Sequence, residues 1–243
     1  MVKITGFRLR HLAAMRTAAY ARRIQALKPR LIERFADDLR LLCDALEQSP
    51  LKDCYWVWSG LLLGWAREGA ILKHDSLDAD FAVADKNFEQ LVAAVPAIVA
   101  AGFVRDRCFV NNDGVVTELT FLRHGARFDF FRMFPDGDER VRYFMYSIRW
   151  KGIIEIQAGL PDQPKEPFDF LGRTWQKSAD HELELTSMYG NWRIPDPSWS
   201  YLEGFDVVSQ VPSRHAHFDW RNDTALCDVR SEASVLHPHH YRA

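Results

Sequence analysis

The sequence predicts an α/β protein in which a mixed sheet is flanked by helices, with a helical segment before it and an irregular extension after it. Three observations carry that expectation. Apolar residues recur at helical spacing over residues 9–48. Short apolar, β-rich runs alternate with helical stretches from Tyr55 to about Ile156. Prolines crowd the chain after Gly159. At 243 residues, with 47% hydrophobic and 26% charged side chains, the chain can bury one sizeable core. The expected divisions are a helical segment over 1–50, a core over 51–175, and an extension over 176–243 packed on that core.

Leu9 to Gln48 follow the helical period, and Pro29 divides them into two helices because proline lacks the N–H and crowds the preceding turn. In the second helix Leu31, Ile32, Phe35, Leu39, Leu42 and Leu46 define a face to be packed, and Ser49-Pro50 closes it. Tyr55-Trp56-Val57-Trp58 reads as a short buried strand ended by Ser59-Gly60, with Leu61 to Arg67 opening a helix. Ala79 to Val83 reads as a second strand. Asn87 to Ala101 is an apolar helical stretch, with a break or kink expected at Pro96 and an end at Gly102. Phe103 to Val110 and Val115 to Leu122 are strand-like around an Asn-Asn-Asp-Gly turn signal, and Arg127 to Met133 is another strand. Tyr143 to Ile156 suits a further hairpin or edge strand. Beyond Gly159, Pro161, Pro164 and Pro167 mark a loop, and Phe168 to Gly172 a short strand and turn. Ala179 to Tyr189 should be a helix with Ser178 as its N-cap. From Asn191 the prolines predict irregular chain, as does the His-rich tail from His237.

A formal net charge of −2 gives no global attraction to nucleic acid, and none is expected as a partner. The N-terminal stretch departs from that balance: basic residues from Lys3 to Arg34 meet only Glu33 before Asp37. Two readings are open, a solvated helix face and a surface for anionic membranes, glycans or acidic partners. Cys43, Cys54, Cys108 and Cys227 are scattered, with no Cys-x-x-Cys pair, which predicts reduced thiols and a cytoplasmic protein. The sequence has no apolar run long enough to cross a bilayer, so any membrane role is expected to be peripheral.

The chemistry is concentrated in a few residues. On a strand, residues two apart share a face, so Asp78 and Asp80 present two carboxylates side by side. Adjacent like charges are costly unless a cation sits between them. Hard oxygen ligands without a His or Cys cluster suit Mg²⁺ or Mn²⁺. Phe128-Asp129-Phe130-Phe131 places a third acid inside an aromatic strand, where an unpartnered charge is expensive. If that strand lies beside the one carrying Asp80, three carboxylates converge for displacement at phosphorus. Ser59-Gly60 lets the backbone approach a phosphate at a helix N-terminus, and Arg67 could add a bidentate contact.

This ordered set resembles the nucleotidyltransferase fold superfamily, and within it the LicD and fukutin group. Ser59-Gly60-Leu61-Leu62-Leu63-Gly64-Trp65-Ala66-Arg67 is similar to that group's S/G-G-T-x-L-G-x-x-R stretch ahead of D-x-D. Arg127 to Phe131 is similar to its V-D-I-F stretch. Leu185 to Pro195, with Tyr189-Gly190-Asn191-Trp192 inside it, resembles its L-x-x-x-Y-G-x-W-x-x-P signature. Leu61 stands where the group has Thr, and Lys73-His74 where it has a Pro-aromatic lead into the acids. The resemblance implies transfer of a phospho-alcohol, of phosphocholine or polyol phosphate type, from a CDP-linked donor to a glycan hydroxyl. It implies that a metal on Asp78 and Asp80 binds the donor's pyrophosphate. It implies that Asp129 either completes the metal site or takes the proton of the attacking hydroxyl. Ser59, Gly60 and Arg67 would bind the donor phosphates.

Other readings stay open on the residues alone. The same site could move a nucleotidyl group from an NTP to a hydroxyl, or the chain could be an inactive glycan- or partner-binding protein. Asp129 could be a core carboxylate paired to Arg127, which shares its face. Arg67 could pair with Glu68 or Asp75. Asp75 could be a ligand or a loop residue. Gly64 could be a close-packing point between helix and sheet, and Trp192 could pack the helix end or stack on a sugar or base.

Overall fold

The computed structural model of the chain describes residues 29–72, 77–149, 152–213 and 218–219. The basic stretch before Pro29, Lys73, His74, Asp75, Cys227 and the histidines from His237 onward lie outside the described residues. Helix α1 is described over 29–47. Phe35, Leu39, Leu42 and Leu46 form its buried face, as their spacing predicts.

The strands follow. β1 is Tyr55–Val57, β2 Asp78–Ala84, β3 Val104–Val110, β4 Val116–Arg123, β5 Ala126–Pro135, β6 Arg140–Arg149 and β7 Gly152–Pro161. They are completed by β8 (Lys165–Phe170), β9 (Arg173–Ser178), β10 (Val207–Pro212) and β11 (Phe218–Asp219). Three helices alternate with them: α2 (Ser59–Glu68), α3 (Phe88–Ala100) and α4 (His181–Tyr189). The large sheet runs β10-β7-β6-β5-β4-β3-β11, with β2 against β5 and β1 against β2, while β8 and β9 form a separate hairpin. β2 and β5 pair in parallel, and the other described pairs are antiparallel. The chain is therefore an α/β protein with a mixed sheet. A parallel pair needs a crossover, and α3 with the β3–β4 hairpin supplies it.

Strand alternation sorts the central sheet into two faces. Phe81, Leu119, Phe121, Phe128 and Phe130 are fully buried on one of them. Phe35 of α1 meets Phe128 there, ring centroids 5.6 Å apart. Burying each such ring contributes roughly 2 kcal/mol. The intervening residues, Asp80 on β2, Thr120 on β4 and Asp129 on β5, point to the other face. Further along that face Trp58 packs on Phe131 and Tyr143, with centroids 4.9 and 4.6 Å apart.

Several elements depart from the sequence reading for identifiable reasons. α2 begins at Ser59 rather than Leu61, so the Ser-Gly pair lies in its first turn. α3 runs through Pro96 as one element, its buried stripe of Phe88, Leu91, Val95 and Ile98 outweighing the lost backbone bond. α4 starts at His181 with Asp180 as its N-cap, the Asp180 carboxylate accepting from Leu183 N–H at 2.9 Å. Ser178 instead donates its hydroxyl to Glu184. Gly64 is a close-packing point, but against the returning chain: a Cβ there would meet the Ala70 carbonyl oxygen at 2.6 Å. Pro167 is tolerated in β8 because that hairpin pairs on one side only.

Candidate metal centre

The parallel β2–β5 register sets Asp80 directly opposite Asp129 and Asp78 opposite Arg127. Asp78, Asp80 and Asp129 each offer a ligand atom within 4.8 Å of the others. An octahedral ion with bonds of about 2.1 Å spaces its ligand oxygens by roughly 3 to 4 Å, so the three carboxylates fit one hard divalent cation. Asp129 is 5% exposed, and its Oδ1 is buried without a hydrogen-bond partner. Burial pushes its carboxyl well above the usual range, and Glu118, Asp78 and Asp80 push it the same way. Arg127 opposes them only in part. An acceptor atom left without a donor in that environment is what a cation would satisfy.

Glu118 is the residue that sequence reasoning missed. It lies on β4 opposite Phe131, on the acidic face, and is 5% exposed. Burial raises its pKa, and Asp80 and Asp78 raise it further. The available signal was the one that flagged Asp129, a lone acid in an apolar strand (Val116-Thr117-Glu118-Leu119). Using it required the β4–β5 register. Arg127 counters the acids: burial lowers its pKa, but Asp129, Asp78, Asp106 and Glu118 outweigh that and raise it. Arg132 serves elsewhere, its guanidinium 2.6 Å from Asp85.

Two strained residues frame the site. Ser59 and Leu77 have φ of 51° and 58°, in the left-handed region that side chains with a Cβ avoid at a cost of about 1 kcal/mol or more. Leu77 ends in Asp78, and its carbonyl accepts from Arg127 N–H at 2.9 Å, which fixes the β2–β5 register at its first pair. Ser59 starts α2 immediately after Trp58, whose N–H donates to Asp80 C=O at 3.0 Å. The N-terminus of α2 thus begins beside the acidic strand. Compared with protein-family models, curated proteins and solved structures, the chain matches none.

The expected phosphate-binding residues divide between two ends of α2. Arg67 lies eight residues after Ser59, roughly 12 Å along the axis. Its Nη1 donates to Trp192 C=O at 3.4 Å, and its Nη2 is 3.5 Å from Glu68. Gly60 and Arg67 nevertheless border one cleft of about 540 Å³, closed on its other side by Tyr189, Trp192 and Trp199. Gly190, with φ 63°, ends α4 and turns the chain into that wall. Tyr189 is tied back to the site, its hydroxyl 3.0 Å from Ser59 Oγ. The three aspartates are not among the residues lining the cleft.

Proposed function

We propose that the protein is a divalent-metal-dependent transferase that moves a phospho-alcohol from a CDP-linked donor to a saccharide hydroxyl. The observation that carries this reading is the convergence of Asp78, Asp80 and Asp129 around one point, with a buried Asp129 oxygen that has no hydrogen-bond partner. Asp78, Asp80 and Asp129 would hold Mg²⁺ or Mn²⁺, which when bound neutralises charge on the donor's phosphates. The first N–H groups of α2, at Ser59 and Gly60, lie beside Asp80 and suit the same phosphates. In the transfer the acceptor oxygen bonds to the distal phosphorus, the bond from that phosphorus to the bridging oxygen breaks, and CMP leaves. The hydroxyl proton passes to a carboxylate of the acidic face. The resemblance of the ordered motifs to those of the LicD and fukutin group supports the choice of donor and acceptor.

The test is direct. Protein with Mn²⁺ is incubated with CDP-linked choline or ribitol and a saccharide acceptor, and in parallel with NTPs, while CMP and pyrophosphate are followed. The proposal expects CMP release that disappears in Asp80→Asn and Asp129→Asn. Pyrophosphate release from NTPs alone would move the reaction to nucleotidyl transfer on the same site. Full turnover by Asp129→Asn at saturating Mn²⁺ would refute the metal assignment.

A further inference from the structure

The arginines of the strands fall into two groups. Arg123, Arg132 and Arg173 each hold an aspartate: Arg123 Nε donates to Asp38 at 2.8 Å, Arg132 Nε to Asp85 at 2.6 Å and Arg173 Nε to Asp44 at 2.6 Å. Arg127 has Asp129, Asp78, Asp106 and Glu118 in electrostatic reach. Among the ion pairs of the described residues it nevertheless takes part in none, and its Nε is buried without a hydrogen-bond partner. The residue is half-buried, so its guanidinium is not lost in the core. A guanidinium among acids that bonds to none of them keeps its N–H groups for an anion that arrives later.

Its place in the sheet says where that anion lies. β1, which leads into α2, pairs with one edge of β2, and β5, which carries Arg127, pairs with the other. Arg127 stands opposite Asp78 in register and shares a face with Asp129, and its backbone N–H donates to Leu77 C=O at 2.9 Å. On the far side Trp58 N–H, just before α2, donates to Asp80 C=O at 3.0 Å. A group seated over the three aspartates thus has the start of α2 on one flank and the guanidinium on the other. Three ionised carboxylates with one divalent cation leave a net negative charge, which repels a phosphate, and Arg127 cancels it. We infer that Arg127 is a catalytic residue of this site, binding the non-bridging oxygens of the phosphate being transferred from the flank opposite α2. The reaction here rests on the transferase reading, whereas the phosphate contact does not need turnover. As the acceptor oxygen bonds to phosphorus and the bridging P–O bond breaks with CMP leaving, charge spreads over the non-bridging oxygens. The planar fork of an arginine follows that charge with two parallel N–H···O contacts, where an ammonium is a point charge. An arginine serving only as countercharge to the acids would be replaced by lysine without loss.

Three measurements on the full chain test this: Mn²⁺ affinity by electron paramagnetic resonance, calorimetric binding of inorganic pyrophosphate in excess Mn²⁺, and steady-state CMP release from a CDP-linked alcohol. Arg127→Lys keeps the charge and loses the fork. It should bind Mn²⁺ within about twofold of wild type, weaken pyrophosphate about three- to tenfold, and lower kcat about a hundredfold with a much smaller change in donor KM. Arg127→Gln removes a cation, so Mn²⁺ should bind more tightly while pyrophosphate weakens by more than about tenfold. Turnover by Arg127→Ala should recover in part with added guanidinium ion and not with ammonium. Cooperative thermal unfolding in EDTA verifies that each variant is folded. The contact is overturned if folded Arg127→Lys keeps wild-type kcat and pyrophosphate affinity, if the Mn²⁺-loaded wild type does not bind pyrophosphate, or if ammonium rescues Arg127→Ala as well as guanidinium does. CMP release by wild type that Arg127→Lys leaves untouched sinks the contact and keeps the transferase reading. Pyrophosphate binding that Arg127→Gln loses, without CMP release from any donor, does the reverse.

Discussion

Two buried charge clusters in this molecule solve the same problem differently. On the β8–β9 hairpin and α4, Lys177 and Glu184 are 4% and 3% exposed. Lys177 Nζ donates to Glu166 and to Ser178 C=O at 3.3 Å and lies 3.3 Å from His181 Nδ1, while Ser178 donates to Glu184. Lys165 and Lys177 both draw the Glu184 pKa downward against its burial. That cluster carries its own cations. The β2–β4–β5 face gathers Asp78, Asp80, Glu118 and Asp129, which raise one another's pKa values, with Arg127 and Arg107 acting against them. A cluster with its countercharges in the chain fixes α4, and with it Tyr189 and Trp192. The acidic cluster is the one that, on the proposed function, would take a cation from outside.

The largest effect that could break this contrast is at Asp129. Asp129→Asn should lower turnover about a thousandfold or more, equivalent to roughly 4 kcal/mol of barrier. In the metal-free protein the same change should raise stability, because it removes a buried like charge. Steady-state rates and thermal unfolding in EDTA would check both halves. Loss of stability in EDTA would mean that the acidic face is held by the chain itself, and the two clusters would be alike.

Next in size is Glu184, whose carboxyl is raised to about 7 chiefly by burial. The sign follows from proton binding. Below about pH 4.5 the group is protonated in both folded and unfolded chains and changes nothing. Between about 4.5 and 7 the unfolded chain releases the proton while the folded chain keeps it, so stability falls as pH rises. The loss reaches about 3 kcal/mol and is constant above pH 7. Glu184→Gln should therefore be more stable than wild type at pH 8 by up to that amount, with the gap closing toward pH 4.5. Denaturant unfolding at both pH values measures it, and a gap that ignores pH would show Glu184 to be ion-paired rather than protonated.

Metal addition comes third and separates the clusters most cleanly. Mn²⁺ at about a hundred times its Kd should stabilise the wild type by roughly 2.7 kcal/mol, and EDTA should reverse the shift. Glu184→Gln should respond fully and Asp80→Asn not at all, since the clusters share no residue. A diminished response in Glu184→Gln would reveal coupling between them through α4.

How much of this was legible in the sequence depends on what each feature needs. The acidic triad was readable because Asp78 and Asp80 obey the strand period and Asp129 sits alone among aromatics. Those are local signals. Glu118 obeys the same rule, yet its meaning appears only when β4 is set against β5 in register. β9 went unread because Arg173-Thr174-Trp175-Gln176-Lys177 shows one apolar side chain among polar ones, and its partner strand contains Pro167. β10 alternates half-buried and exposed residues as an edge strand on β7, too polar to stand out from irregular chain. The cleft was illegible for a different reason. Arg67 and Trp192 are 125 positions apart, and tertiary contacts such as Tyr189–Ser59, Arg67–Trp192 and Trp65–His181 bring the two segments together.

The smallest prediction concerns how α4 is started. A sequence reading favours Ser178 as the cap, but the hydroxyl there is committed to Glu184, and the Asp180 carboxylate takes the Leu183 N–H. Asp180 also sits at the positive end of the helix dipole, where a carboxylate is favoured. Asp180→Ala should cost about 1 kcal/mol, the usual value of an N-cap, and do so equally at pH 5 and pH 8. Ser178→Ala should differ in kind. It removes a donor to Glu184, so its cost should grow once that carboxyl ionises above pH 7. Unfolding of both variants across that range distinguishes a cap, which acts on the backbone, from a hydroxyl that acts on a buried charge. If the two variants show the same pH dependence, the self-balanced character of this cluster fails at the residue that joins it to α4.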